Sequence, residues 1–260
     1  MSAGPVRVER DGPLAVVTHE APPVNLWTDA VIDGYRAALD ELEADPPRAA
    51  LFRAEGRVVS GGVDVNLFAR IADGSEGGRL WSDLLELPRR LEALPFPTVY
   101  AAHALCLTAS FELSLACDLL LAAESASFGL VERVVGLTPA MGGTQRVAER
   151  AGPARARELV MTGEVFGAAT LERWNVVNRV LPDEGFDKAA RAFAMGLAEG
   201  PTRAHAATKR LVRAEVDGSA RAADELVPEV AGGLFATEDL RGAVRTFLEQ
   251  GPGKARFSGR

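Results

Sequence analysis

The chain has little cysteine and little histidine for its 260 residues. Its two cysteines, Cys106 and Cys117, lack the Cys-x-x-Cys spacing of zinc and dithiol sites, and we interpret both as buried, reduced thiols. The three histidines, His19, His103 and His205, are scattered along the chain and are interpreted as structural. We therefore expect no metal site.

Several functional signatures are also missing. No Gly-x-Ser-x-Gly motif is present, which disfavours a Ser–His–Asp hydrolase. The pairs Gly61-Gly62 and Gly142-Gly143 fit neither the phosphate-loop nor the dinucleotide-binding spacing. The net charge of −7 implies no basic face, so nucleic acid is not expected as a partner, although a local basic patch could still bind an anionic small molecule.

The N-terminal segment MSAGPVRVERDGP has no apolar stretch of the signal-peptide type. Together with the low cysteine content, this favours a cytoplasmic location. Apolar residues make up 47% and charged residues 25% of the chain, which is typical of a globular protein large enough for one main core.

The most distinctive stretch begins at Val99 and holds about 25 mostly apolar residues, a length that could cross a bilayer. It contains His103, Glu112 and Asp118, however, and such groups are costly at a membrane centre. A buried strand–helix–strand unit explains the pattern better, with the helix beginning near Ala109. We expect no membrane partner.

Two acidic residues in this region are candidates for proton transfer. Glu112 lies one turn into the predicted helix, and Glu132 follows the second strand. Burial would raise the pKa of a carboxyl group towards neutrality, as acid–base catalysis at neutral pH requires. The alternatives are a solvated carboxylate or an ion pair, for which Arg133 is a ready partner of Glu132. Free N–H groups at the helix start could hold an oxyanion beside the acids.

The remaining sequence predicts an α/β core followed by helices. Residues 6–8 and 14–18 read as a β-hairpin, Thr28 as a helix cap, and residues 49–53 as a strand. Residues 73–78 are predicted to form a loop. Trp81, Leu84 and Leu85 are interpreted as core residues, with lining of an apolar pocket as the less favoured alternative. The last helices are expected at residues 186–199, 202–216, 220–235 and 238–250.

Three segments resemble the enoyl-CoA hydratase/isomerase (crotonase) family. They are VVSGGVDV at residues 58–65, FELSLACDLLLAAESASFGLVERVVGLTPAMGGTQR at residues 111–146, and the closing FLEQGPGKARFSGR. The resemblance implies an α/β fold, namely a crotonase-like spiral of repeated ββα units over residues 1–190. Residues 191–260 are then a C-terminal helical region that assembles homotrimers or dimers of trimers.

The resemblance also implies a site and a substrate. The substrate is an acyl-CoA thioester, so coenzyme A arrives with it and no separate cofactor or metal is expected. The resemblance places the two oxyanion-hole N–H groups at Gly61 and Ala109 and the catalytic acids at Glu112 and Glu132. The residues that it places at the substrate are Pro23, Val24, Gly62, Val63, Asp64 and Lys254.

One segment departs from the family pattern, because Ala104, Thr108, Ala109 and Ser110 stand where the family has glycines. An Ala109 amide can still donate if its φ is negative, whereas a side chain at positive φ costs on the order of 1 kcal/mol or more. Since both acids are retained, we predict an enoyl-CoA hydratase. Double-bond isomerisation and a non-catalytic acyl-CoA-binding protein remain the alternatives.

Overall fold

The computed structural model describes residues 4–260 and contains two β-sheets. The strands are β1 (Val6–Asp11), β2 (Leu14–His19), β3 (Ala49–Ala54), β4 (Thr98–Ala102), β5 (Cys106–Leu107), β6 (Leu119–Ala123), β7 (Ser127–Gly129), β8 (Phe166–Gly167) and β9 (Arg179–Leu181). The larger sheet has the order β1-β2-β3-β4-β6-β9, and the smaller sheet has the order β5-β7-β8.

Helices follow most of the strands. They are α1 (Asp29–Ala44), α2 (Asn66–Ala69), α3 (Gly74–Leu84), α4 (Glu86–Ala93), α5 (Ala109–Leu115), α6 (Gly143–Ala151), α7 (Pro153–Thr162), α8 (Ala168–Arg173), α9 (Phe186–Ala198), α10 (Thr202–Asp217), α11 (Ala220–Leu234) and α12 (Glu238–Gln250). A short 3-10 helix, Glu132–Val135, lies between β7 and α6.

The larger sheet begins with the predicted hairpin and continues with parallel strands. Val6 pairs with His19 and Asp11 with Leu14 across the antiparallel β1–β2 turn. The pairs β2–β3, β3–β4, β4–β6 and β6–β9 are all parallel. Parallel strands are covered on both faces, which explains why β4 is buried along its whole length and reads as a continuous apolar run.

The apolar stretch that begins at Val99 forms the buried unit predicted for it. β4 and β5 precede α5, whose residues are all buried, and β6 follows. The length of the apolar run therefore reflects burial within the protein. Over residues 4–260, none of the helices is both long enough and apolar enough to cross a membrane.

Two other predictions meet different outcomes. The loop predicted at residues 73–78 is wrong: Asp73 caps α3, and its carboxylate accepts hydrogen bonds from the N–H groups of Ser75 and Glu76. The four C-terminal helices begin and end within about one residue of their predicted bounds.

The proposed division between residues 190 and 191 falls inside α9, a helix that packs against β3.

Candidate active site

Glu112 and Glu132 line the same small cavity. Glu112 projects from α5, and Glu132 is the first residue of the 3-10 helix. The cavity has a volume of about 20 Å³, which is room for about one water molecule. Most of its wall is apolar and comes from Trp27, Ile32, Val63, Leu67, Phe68, Trp81, Leu84, Leu137 and Met141.

The Glu112 carboxyl group is held by backbone donors at the start of α6. Its Oε1 accepts hydrogen bonds from the N–H groups of Met141 and Gly143, each at 2.9 Å. The side chain is 3% exposed. Burial raises the pKa of Glu112 to about 8, and the nearby Glu132 carboxyl adds to the rise, while the two N–H donors oppose it. Glu112 is thus fixed in place and titrates near neutral pH.

The adjacent glycines explain how a backbone can approach Glu112 so closely. A Cβ at Gly143 would lie 2.7 Å from Glu112 Cγ, closer than real contacts allow. Gly142 has φ +97°, and a Cβ there would collide with the Arg146 guanidinium. The absence of side chains at Gly142 and Gly143 therefore lets the start of α6 pack closely against Glu112.

The Glu132 carboxyl group is buried and has no hydrogen-bond partner for either oxygen among residues 4–260. Burial raises its pKa to about 7. Its neighbour Arg133 instead donates to the Thr162 carbonyl at 2.6 Å. Glu132 therefore does not form the ion pair with Arg133 that the sequence left as an alternative.

Glu112 likewise forms no ion pair within the described part of the chain. Arg146, whose charge lowers the pKa of Glu112, is engaged by Glu92 through two hydrogen bonds of 2.6 and 2.7 Å. This bidentate pair joins α6 to α4 and takes up the charge of Arg146. Both candidate acids are left with raised pKa values and with carboxyl oxygens that face one cavity.

The structure corrects the assignment of Gly61 as an oxyanion donor. The Gly61 N–H donates to the Val24 carbonyl at 2.7 Å, so it is not available to a ligand. Gly61 also lies outside the cavity lining, whereas Val63 lies within it.

Backbone pairing leaves the Val63 N–H free. Trp27 N–H donates to the Gly62 carbonyl at 2.9 Å, and Asp64 N–H donates to the Trp27 carbonyl at 3.0 Å. In a parallel bridge of this kind, the intervening Val63 directs its own N–H away from Trp27. Within residues 4–260, that N–H has no acceptor.

Ala109 supplies a second N–H in the cavity wall. It is the first residue of α5, so its N–H has no acceptor within the helix. Its φ is not positive; the residue at positive φ is Thr108, at +48°. Hydrogen bonds hold Thr108 there, since its N–H donates to the Gly129 carbonyl and its carbonyl accepts from Glu112 N–H. The free-energy cost of a side chain at positive φ, which was expected in this segment, therefore applies to Thr108 and not to Ala109.

The other predicted substrate-binding residues lie apart from the acids. Pro23 is exposed, Val24 is half-buried, Lys254 is exposed, and none of them lines the cavity. Gly62 has φ +113° and precedes Val63 in the cavity wall. Asp64 Oδ1 accepts a hydrogen bond of 3.0 Å from the N–H of Asn66, the first residue of α2.

Sequence reasoning missed part of the apolar wall. Trp27, Phe68 and Met141 line the cavity, and no periodic signal marks them for that role. Trp81 and Leu84 also line it, as in the less favoured interpretation. Leu84 is a buried core residue as well, as predicted. The N–H donors to Glu112 could have been suspected from the Gly-Gly pair that opens α6, because glycines often mark a close backbone approach.

The chain is similar to known proteins over nearly its whole length. A family model described as "Enoyl-CoA hydratase/isomerase" matches residues 9–260. A protein of Rhodobacter capsulatus named "Probable enoyl-CoA hydratase" is 32% identical over 266 aligned residues that cover 100% of both chains. A Bacillus subtilis protein of the same name is 29% identical, and the alignment covers 91% of this chain and 93% of that protein.

A crystal structure of an enoyl-CoA hydratase subunit from Geobacillus kaustophilus HTA426 superimposes on this chain. Its TM-score is 0.90 at 29% identity, with 98% of each chain covered. The predicted fold class, a crotonase-type α/β fold with a helical C-terminal region, is confirmed.

Proposed function

The chain belongs to the enoyl-CoA hydratase/isomerase family, and we propose that it adds water across the 2,3 double bond of a trans-2-enoyl-CoA thioester. One observation supports the proposal above all. Two buried carboxyl groups without ion-pair partners in residues 4–260 share one cavity with the backbone at Val63 and Ala109.

The raised pKa values of the two acids suit a reaction that needs one base and one acid. With pKa values of about 8 for Glu112 and about 7 for Glu132, the pair holds roughly one proton near neutral pH. Because the pKa of Glu112 is the higher of the two, the form that carries this proton on Glu132 is the less populated one, and we propose that it is the form that reacts. In that form, Glu112 takes a proton from the water that attacks Cβ, and Glu132 delivers a proton to Cα. Proton transfer from Glu112 to Glu132 restores the pair for the next turnover.

The thioester oxygen gains negative charge as water attacks. We propose that the N–H groups of Val63 and Ala109 donate to it, in place of the predicted pair Gly61 and Ala109. Two preorganised donors in an apolar cavity stabilise an enolate far better than water does. The carbonyl end of the double bond then lies beside Val63 and Ala109, and its Cβ end lies towards the glutamates.

Substrate tests distinguish hydration from the two alternatives. The purified chain is mixed with crotonyl-CoA, and separately with a trans-3-enoyl-CoA, and the products are identified chromatographically. We expect 3-hydroxyacyl-CoA from crotonyl-CoA. Conversion of the 3-enoyl to the 2-enoyl thioester without any hydration would favour the isomerase. Binding of several enoyl-CoA chain lengths with no turnover would favour a non-catalytic acyl-CoA-binding protein.

A further inference from the structure

We propose that the hydrogen bond between the Trp27 indole and the Ser110 hydroxyl positions the two oxyanion donors relative to each other. Trp27 and Ser110 would act as positioning residues, since the thioester itself contacts Val63 and Ala109. This inference rests on the proposed oxyanion hole. It concerns a residue, Ser110, that stands where the resemblance leads one to expect glycine.

The main chain of Trp27 fixes the first donor. Its N–H and its carbonyl bond to Gly62 and Asp64, the residues on either side of Val63. Any shift of Trp27 therefore moves the Val63 peptide with it. No regular sheet supports this segment, because the Trp27–Val63 pairing is an isolated bridge.

The side chain of the same residue reaches the second donor. Trp27 Nε1 donates to Ser110 Oγ at 2.7 Å, and Ser110 follows Ala109 directly in α5. Trp27 is 1% exposed and Ser110 is fully buried, so water cannot replace the bond. Without the hydroxyl, the indole N–H would be a buried donor with no partner.

The indole itself is held firmly. Its ring stacks on Tyr35 with centroids 4.7 Å apart and an interplanar angle of 10°. His19 meets it edge-on, with centroids 6.2 Å apart. Tyr35 belongs to α1 and His19 to β2, so the link between the two donor segments is anchored to the main sheet and its first helix.

One residue thus joins both halves of the oxyanion hole, through its backbone on one side and its side chain on the other. A displacement of reacting groups by about 1 Å costs up to roughly a hundredfold in rate. Ser110 therefore adds a constraint between the two segments that a glycine at this position could not supply.

The test compares Ser110→Ala and Trp27→Phe with the double variant and with a matched control, Ser114→Ala. Ser114 is a fully buried serine of the same helix, but its hydroxyl donates to the Phe111 carbonyl and makes no link to Trp27. Each protein is assayed for crotonyl-CoA hydration and for binding of butyryl-CoA. Each is also titrated with 2,4-hexadienoyl-CoA, a conjugated thioester whose absorbance shifts to the red when its carbonyl accepts hydrogen bonds.

We expect Ser110→Ala to reduce both kcat and the red shift, with kcat falling about tenfold and butyryl-CoA affinity changing less than threefold. The double variant should lose little more than either single variant, because both disrupt one link. Ser114→Ala should retain the full red shift. If Ser110→Ala keeps the wild-type kcat and red shift, or behaves like Ser114→Ala, the positioning role is refuted.

Should Ser110→Ala fold poorly, Trp27→Phe also removes the bond and keeps an aromatic ring. Because Trp27 lines the cavity as well, only the red shift of this variant, and not its kcat, is then compared with wild type. Wild-type protein that polarises the dienoyl thioester but hydrates nothing would refute the proposed hydratase activity and leave the positioning role to be judged on the red shift alone. Wild-type protein that produces no red shift would refute the positioning role itself.

Discussion

Glu112 shows how burial of an ionisable side chain makes the stability of the fold depend on pH. Its ordinary pKa of 4.5 is raised to about 8 in the protein, chiefly by burial. The folded state therefore binds this proton more tightly than the unfolded state does. The proton bound to Glu112 stabilises the folded state fully below the ordinary pKa of 4.5. This stabilisation is lost as the pH rises through about 8.

Glu112→Gln should remove this pH dependence. The amide oxygen can still accept the hydrogen bonds from Met141 and Gly143, but the side chain cannot ionise. Between pH 6 and pH 9 we expect the variant to become more stable than wild type, by on the order of 2 kcal/mol at the upper end. Thermal unfolding across this range measures it, with Glu124→Gln at an exposed position as control. Parallel curves for wild type and Glu112→Gln would contradict the assigned pKa.

Gly143 tests whether close backbone approach determines the position of Glu112. In Gly143→Ala, the new Cβ would displace the Glu112 side chain, and we expect kcat to fall about a hundredfold. The control is Gly233→Ala in α11, where nothing lies within 4 Å of the added carbon. That change should leave kcat unaltered and shift stability by less than about 1 kcal/mol. Equal effects of the two substitutions on kcat would argue against a specific role for Gly143.

The residues of the site could be predicted from sequence to different degrees. Glu112, Glu132 and Ala109 were predicted correctly as neighbours, since two acids in an apolar segment leave few possible environments. The Gly61 N–H, predicted as the first oxyanion donor, bonds to the Val24 carbonyl instead, and Val63, two residues later, is the donor that we propose in its place. Which N–H faces the cavity depends on the bridge between Trp27 and Val63, and such long-range pairing has no local signature.

At the scale of elements, α3 shows why a glycine-rich segment can be helical. Residues 73–78 contain three glycines and read as a loop, yet Asp73 caps the helix and Leu84 is buried at its other end. Tertiary packing of one apolar face outweighs the poor helix propensity of glycine. The same helix brings Trp81 to the cavity.

Trp81 should limit the length of the acyl chain. Its ring packs at 5.6 Å from the ring of Phe68, and together they close one side of the cavity. In Trp81→Ala, we expect kcat/KM for 2-octenoyl-CoA to rise about tenfold relative to crotonyl-CoA. Leu80→Ala, on the same helix and packed against the core outside the cavity, should leave the ratio unchanged. An unchanged ratio in Trp81→Ala would show that the acyl chain leaves the site elsewhere.

At the scale of the whole molecule, the C-terminal helices were the easiest part to predict. Long amphipathic segments are separated by Gly200-Pro201 and by Gly218, so both their period and their ends are visible in the sequence. How they pack on the core could not be predicted in this way. The ion pair between Lys209 of α10 and Asp118, for example, joins residues far apart in sequence.

These helices also leave apolar side chains uncovered. Phe235, Val244, Phe247 and Leu248 are each more than half exposed. Large apolar side chains exposed in this way are typical of an interface, and the predicted homotrimer would cover them. We expect sedimentation equilibrium to give a trimer or hexamer for wild type and a smaller species for Leu248→Arg, with unchanged helical content by circular dichroism. A wild-type monomer would contradict the predicted assembly.

The central claim is that Glu112 and Glu132 together hydrate an enoyl thioester. The most direct measurement is the rate at which crotonyl-CoA loses its conjugated absorbance with wild type, Glu112→Gln and Glu132→Gln at pH 7. Each substitution should lower kcat by about a hundredfold or more, with crotonyl-CoA binding largely retained. Hydration that proceeds at the wild-type rate in either variant would contradict the account.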